Sequence, residues 1–207
     1  MLDEPPVKAG PRGRFRTIAL IGPPNSGKST LFNRLTGLRQ KVANYPGVTV
    51  EQRSGRMSGI KRNDLTLIDL PGIYSLTGYS EDARVAIDVL KGEMPGTPRP
   101  DAVLLVLDAL NLNRQLMLAG PILALGLPTL VLLNMADLME SRGGAVDPLA
   151  LAQELGRPVA LISAARGTGI EAIERYLQQH GSAHPEVAKT LPVLPIELPV
   201  LQNPGEC

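Results

Sequence analysis

Gly22-Pro23-Pro24-Asn25-Ser26-Gly27-Lys28-Ser29-Thr30 decides how this chain folds. It has the form G-x-x-x-x-G-K-S. An apolar run, Thr17-Ile18-Ala19-Leu20-Ile21, precedes it, and Leu31-Phe32-Asn33-Arg34-Leu35 follows. That order reads as strand, tight loop, helix, the setting in which such a loop wraps a phosphate chain. Glycine lets the backbone come close. Inward-pointing N–H groups take phosphate oxygens, and the helix N-terminus adds partial positive charge. Lys28 would reach the β- and γ-phosphates, and the Ser29 hydroxyl would ligate Mg²⁺.

Outward from this loop, strands and helices alternate. Strands are expected at 17–21, 48–56, 64–69, 102–107, 129–133 and 158–162. Helices are expected at 28–36, 80–90, 112–125, 147–155 and 168–180. Gly37 and Gly156 stop two of these helices, and Ser80 and Asp147 cap two others, with Pro148 at a first helical position. Pro121 falls inside 112–125, where a proline costs about 3 kcal/mol, so a kink or a break just before it is expected. Residues 38–49, turn-rich around Asn44-Tyr45-Pro46-Gly47, read as a mobile loop. The alternation predicts a doubly wound, mostly parallel six-stranded α/β sheet, with ligand at the carboxyl ends of the strands. The domain spans 16–180. Residues 1–15 read as a flexible arm, and 181–207 as an irregular proline-rich tail.

Three further stretches lie at strand ends. In Asp69-Leu70-Pro71-Gly72 the carboxylate suits Mg²⁺ through water, and the Gly72 N–H suits a γ-phosphate. Asn134-Met135-Ala136-Asp137 offers a carboxylate that accepts both the N1–H and the exocyclic amine of guanine. Adenine has no such donor pair, and the wrong base would leave that carboxylate unpaired. Ser163-Ala164-Ala165 offers backbone N–H groups to guanine O6. Each stretch is weak alone; their order and spacing select GTP and GDP. Thr49, on the loop between Lys28 and Asp69, would join the Mg²⁺ shell only when the γ-phosphate is present, which makes that loop a switch.

Composition narrows the alternatives. The formal net charge is +1, so there is no bulk attraction to nucleic acid, and no nucleic-acid partner is expected. The single cysteine, Cys207, allows no disulfide within the chain. The first 16 residues lack the apolar run of a signal peptide. Residues 116–133 carry no charge, yet Gly120-Pro121 and Gly126-Leu127-Pro128 break them into a helix and a buried strand rather than a membrane span. His180 and His184 read as solvated residues, not a metal site.

Over 17–179 the chain resembles the TRAFAC-type small GTPases of the P-loop fold. Within them it resembles the cytosolic G domain of the FeoB ferrous iron transport family. The resemblance rests on Pro24-Asn25-Ser26-Gly27-Lys28-Ser29-Thr30-Leu31-Phe32-Asn33, on Asn44-Tyr45-Pro46-Gly47-Val48-Thr49-Val50-Glu51, on Asp69-Leu70-Pro71-Gly72-Ile73-Tyr74-Ser75-Leu76 and on Asn134 to Asp137. It implies GTP hydrolysis with Lys28, Thr49, Gly72 and Asn25 in catalytic roles, and Met135 packed on the guanine face. It further implies a K⁺ ion held by Asn25 and by the carbonyls of Ala43 and Tyr45, supplying the charge that an arginine finger supplies elsewhere. Ile73 stands where Ras-type proteins carry a water-orienting Gln, so slow hydrolysis is expected. Pro23 departs from the family's Gly-Asn-Pro-Asn loop and removes one N–H from the cradle.

In that family a helical regulatory domain and a membrane permease region follow the G domain, and 181–207 resembles neither. The expected location is cytoplasmic, at the inner face of the membrane. Two other readings stay open on sequence: a ribosome-assembly or tRNA-modification GTPase of the Era, Der or MnmE kind, and a non-catalytic guanine-nucleotide switch.

Overall fold

β1 (Thr17–Ile21) is buried along its whole length and is the axis of the molecule. In the computed structural model, residues 15–58, 65–76 and 80–180 are described, His180 by its backbone only. The tail, the arm apart from Phe15, most of the turn at 58–63 and the His180/His184 side chains lie outside the described residues. α1 (Lys28–Thr36) follows the glycine-rich loop and ends at Gly37. Next come β2 (Gln40–Asn44), β3 (Glu51–Arg56), β4 (Thr66–Asp69) and α2 (Glu81–Lys91). Then β5 (Ala102–Asp108), a short 3₁₀ turn, α3 (Leu112–Leu123) and β6 (Thr129–Asn134) complete the centre. α4 (Ala136–Ser141), α5 (Pro148–Leu155), β7 (Val159–Leu161) and α6 (Glu171–His180) close the described chain.

The strand order is β2-β3-β4-β1-β5-β6-β7. β1 lies parallel between β4 and β5, β6 and β7 continue the parallel set, and β2 and β3 run antiparallel at one side. The strand order reverses at β1, so the loop that leaves it opens at the topological switch point, where ligands of such sheets bind.

Alternating residues build a core on each face. Ala19, Ile21, Val103, Leu105, Leu107, Val131 and Leu133 pack under α2 and α3. Ile18, Leu20, Leu104, Val106, Leu130 and Leu132 pack under α1 and α6. Strands covered on both faces carry unbroken apolar runs, and this is why 102–107 and 129–133 were legible. Fully burying each Val, Leu or Ile among them contributes about 1.5–3 kcal/mol. Asp101 accepts from the N–H groups of Arg16 and Thr17 at 2.7 and 2.8 Å, fixing where β1 starts. The Ser80 and Asp147 caps form as expected.

Four expectations need correction. The sheet has seven strands, not six: part of the expected loop at 38–49 is β2, paired only with β3. All five β2 residues are exposed, so backbone hydrogen bonds hold it and no hydrophobic pattern announces it. α3 does not break before Pro121 but runs on to Leu123. The carbonyl that Pro121 leaves without an N–H belongs to Met117, an exposed residue open to solvent, while Leu118, Ala119 and Ile122 anchor the buried side. A short helix, α4, follows the Asn134-Met135 turn directly. Phe15, assigned to the arm, is buried against the face that α6 covers.

Candidate nucleotide site

The glycine-rich loop leaves β1 and is closed by a hydrogen bond from the Ser26 N–H to the Pro23 carbonyl at 3.3 Å. Gly22 passes so close to β5 that a Cβ would lie 2.1 Å from the Val106 carbonyl oxygen. Gly27 has φ +83°, and a Cβ there would meet Asn134 Nδ2 at 2.1 Å. Both positions exclude any side chain. Asn25 also takes a left-handed conformation, φ 64°, which Asn tolerates, and its side chain is exposed. No side chain caps α1. The first amide bonded along the helix is that of Leu31, to Gly27, at 3.0 Å. The N–H groups of Lys28, Ser29 and Thr30 therefore stand at an uncapped, electropositive helix end, as an anion cradle requires.

Lys28 and Asp69 meet at 2.5 Å between Nζ and Oδ1, with both side chains nearly buried. Burial pushes the Asp69 carboxyl above its ordinary range, and the Lys28 ammonium pulls the other way. The loop after β4 is pressed onto the glycine-rich loop. The Ile73 N–H donates to the Gly22 carbonyl at 3.3 Å, and a Cβ on Gly72 would sit 3.3 Å from Pro24. Leu70 and Ile73 are both buried in the core beneath.

Asn134 joins three loops. Its Nδ2 donates to the Ser26 carbonyl at 2.8 Å, and its Oδ1 accepts from the Ala164 N–H at 2.8 Å. Asn134 is thus a buried cross-link between these loops. The next residue, Met135, turns with φ 64°, and α4 starts, putting Asp137 in its first turn. Asp137 Oδ2 meets Arg166 Nε at 2.9 Å. Of the three N–H groups expected to read guanine O6, two are used internally: Ser163 donates to the Thr168 carbonyl at 3.0 Å and Ala164 to Asn134. Ala165, exposed beside them, is the donor that remains.

The loop expected to switch is divided. Thr49 is exposed, and its hydroxyl donates to Glu81 on α2 at 3.1 Å. A cleft of about 470 Å³ opens there, lined by Thr49, Val50, Pro71, Gly72, Glu81 and Asp82. Ala43 lies in β2. Tyr45 is buried, and its carbonyl accepts from the Val48 N–H at 3.3 Å. Burial, then the nearby Asp69 charge, raises the Tyr45 phenol well above its ordinary pKa, so the phenol stays neutral. Its hydroxyl and that of Ser26 are buried with no hydrogen-bond partner among the described residues.

Lys28, Asp69, Gly72, Asn134 and Ala164 are therefore brought together, while the Thr49 hydroxyl is turned to α2 in the cleft it shares with Gly72. Arg34 and Arg166 were missed: each acts across the fold, on residues that no local pattern connects to it.

A seven-stranded, mostly parallel sheet with this loop at its switch point defines an α/β domain of the P-loop GTPase type. Residues 16–177 match the family model described as Ferrous iron transport protein B, and the chain belongs to that family. It is 44% identical over 171 residues to the Fe(2+) transporter FeoB of Salmonella typhimurium, covering 80% of this chain and 21% of that protein. It is 44% identical over 169 residues to the Fe(2+) transporter FeoB of Escherichia coli strain K12, covering 79% and 21%. The chain thus spans about a fifth of the length of these relatives.

Among solved structures, the cytosolic domain of T. maritima FeoB in GDP form I has a TM-score of 0.76 at 36% identity, covering 83% of this chain and 65% of that one. An S. thermophilus NFeoB mutant bound to mGDP has a TM-score of 0.74 at 41% identity, covering 80% and 61%. The G domain of T. maritima FeoB, at 37% identity and a TM-score of 0.69, is covered over 97% of its length. The region shared with these structures is the G domain. Among the described residues no helix is long and apolar enough to cross a membrane.

Proposed function

We propose that this G domain binds GTP and GDP with Mg²⁺, hydrolyses GTP slowly, and is the nucleotide switch that regulates ferrous iron uptake through a membrane permease region. One observation carries the reading: Asn134 ties the phosphate loop to the base-side loop and leaves Asp137 at the edge of both. GDP in the solved relatives supports it.

In this reading the Lys28, Ser29 and Thr30 amides hold the phosphates, and Lys28 exchanges Asp69 for the β- and γ-oxygens. Asp137 accepts the N1–H and the amine of guanine, the Ala165 N–H donates to O6, and Met135 packs on the ring. Ser29, Thr49 and Asp69 offer two hydroxyls and a carboxylate, the hard oxygen donors that suit Mg²⁺. When bound, Mg²⁺ supplies positive charge at the phosphate oxygens. Thr49 leaves Glu81 as the loop closes. Asn25, Ala43 and Tyr45 are the proposed K⁺ ligands, oxygen donors all. The domain works in the cytoplasm, at the inner face of the membrane.

Burial of Ile73 favours one second reading, a switch without turnover, because no side chain at that position can orient water. Multiple-turnover phosphate release with Mg²⁺ and K⁺ separates the two, and equal rates in Na⁺ and K⁺ would remove the cation role. Asp137→Ala is expected to weaken GDP binding at least a hundredfold by calorimetry, since a lost charged pair of hydrogen bonds costs about 3 kcal/mol. A loss below threefold would sink the assignment of the base site.

A further inference from the structure

α1 does more than start at the phosphates. Two turns on from Lys28, Arg34 reaches across the sheet face to the loop after β7. Its Nε donates to the Ala164 carbonyl at 2.7 Å, and its Nη2 donates to the Ala165 carbonyl at 2.7 Å. The guanidinium also lies against Gly167, where a Cβ would sit 2.5 Å from Nη1. Among the described residues no carboxylate pairs with Arg34, so its planar fork is spent on two consecutive carbonyls. That fixes both peptide planes flanking residue 165. A planar guanidinium makes such a bidentate contact at low entropic cost, and a lysine ammonium cannot reproduce it.

We infer that Arg34 is a positioning residue for base recognition: it sets the orientation of the Ala165 N–H and so governs how long a guanine nucleotide stays bound. Asn134 holds the same loop from the opposite side through the Ala164 N–H. The loop is clamped between them: Arg34, through the Ala164 carbonyl, holds the peptide that carries the Ala165 N–H, and it shares the next peptide with the Arg166 N–H, which donates to Ser163 Oγ at 3.2 Å. Arg34 belongs to the helix whose first residue contacts the phosphates in the reading above, on which this inference rests. One rigid helix then connects the phosphate end of the site to the base end.

The test is dissociation of N-methylanthraniloyl GDP by stopped flow from the whole chain and from Arg34→Ala and Arg34→Lys, with melting temperatures recorded. Arg34→Ala is expected to release the nucleotide about tenfold faster, which corresponds to about 1.4 kcal/mol. Association should stay within twofold. Arg34→Lys should fall between, at threefold or more, and serves alone if Arg34→Ala does not fold. The affinity ratio of GDP to 6-thio-GDP supplies a readout that plain destabilisation does not move: the sulfur is a poor acceptor, so misplacing the Ala165 donor should lower this ratio at least twofold. The GDP to IDP ratio should hold within twofold, because both bases carry O6. Release within twofold of the parent chain in a folded variant overturns the inference, as does an unchanged GDP to 6-thio-GDP ratio or a collapsed GDP to IDP ratio, which would mean that Arg34 acts through Asp137. If the parent chain itself binds no guanine nucleotide, the proposed function falls, and this inference falls with it.

Discussion

Ile73 is 4% exposed and packs in the core under α2 and α3, although its N–H is bonded to the phosphate loop. The backbone at this position belongs to the site and the side chain belongs to the fold. From the sequence, Ile73 reads only as the lack of a glutamine. The structure adds that a glutamine placed there would leave its amide in an apolar core. Ile73→Gln should therefore destabilise the domain by about 2–3 kcal/mol in urea unfolding and should not speed phosphate release. Faster release with unchanged stability would mean that the side chain can reach the phosphate side. The same division appears at Asn134. Its place in the Asn134-Met135-Ala136-Asp137 stretch was read from the sequence, whereas its work as a cross-link between Ser26 and Ala164 depends on two contacts more than 25 residues away in sequence.

At the scale of elements, burial decided what could be read. β1, β5 and β6 are covered on both faces, and their apolar runs marked them within a residue or so. β2 is covered on neither, and an edge strand made of Gln40-Lys41-Val42-Ala43-Asn44 leaves no such mark. α3 was expected at 112–125 with a kink or break at Pro121, and it runs unbroken through the proline to Leu123. Its interior Pro121 faces outward, so Pro121→Ala should restore a helical hydrogen bond to Met117 without touching the core. The gain expected is about 2 kcal/mol or slightly more: the proline penalty of about 3 kcal/mol, less the roughly 0.4–1 kcal/mol of entropy that proline removes from the unfolded chain. A higher urea midpoint at unchanged slope is the predicted result. A lower midpoint would show that the ring is needed where it sits.

For the whole molecule, the ends of the described chain meet. The Phe15 ring lies 6.5 Å from that of Tyr176, centroid to centroid, tilted by 31°, so the residue just before β1 packs on the last helix. Phe15→Ala should cost about 3 kcal/mol, lower the melting temperature and speed amide exchange in α6 ahead of β5. Loss confined to a few tenths of a kcal/mol would return Phe15 to the arm. Asp69 is tuned at this scale as well. Burial raises its carboxyl and Lys28 opposes it, and the two residues are 41 positions apart.

The sequence by itself determined the class of fold, the four loops at strand ends and the family, because glycines, prolines and apolar runs act on their immediate neighbours. The tertiary structure alone decided the seventh strand, the burial of Ile73 and of the Tyr45 phenol, and which N–H groups remain for a base. Those depend on distances closed across the sheet, as when Arg34 meets Ala164 and Ala165 at the far end of the chain. No spacing rule encodes a contact whose partners are brought together only by packing a helix onto the completed sheet.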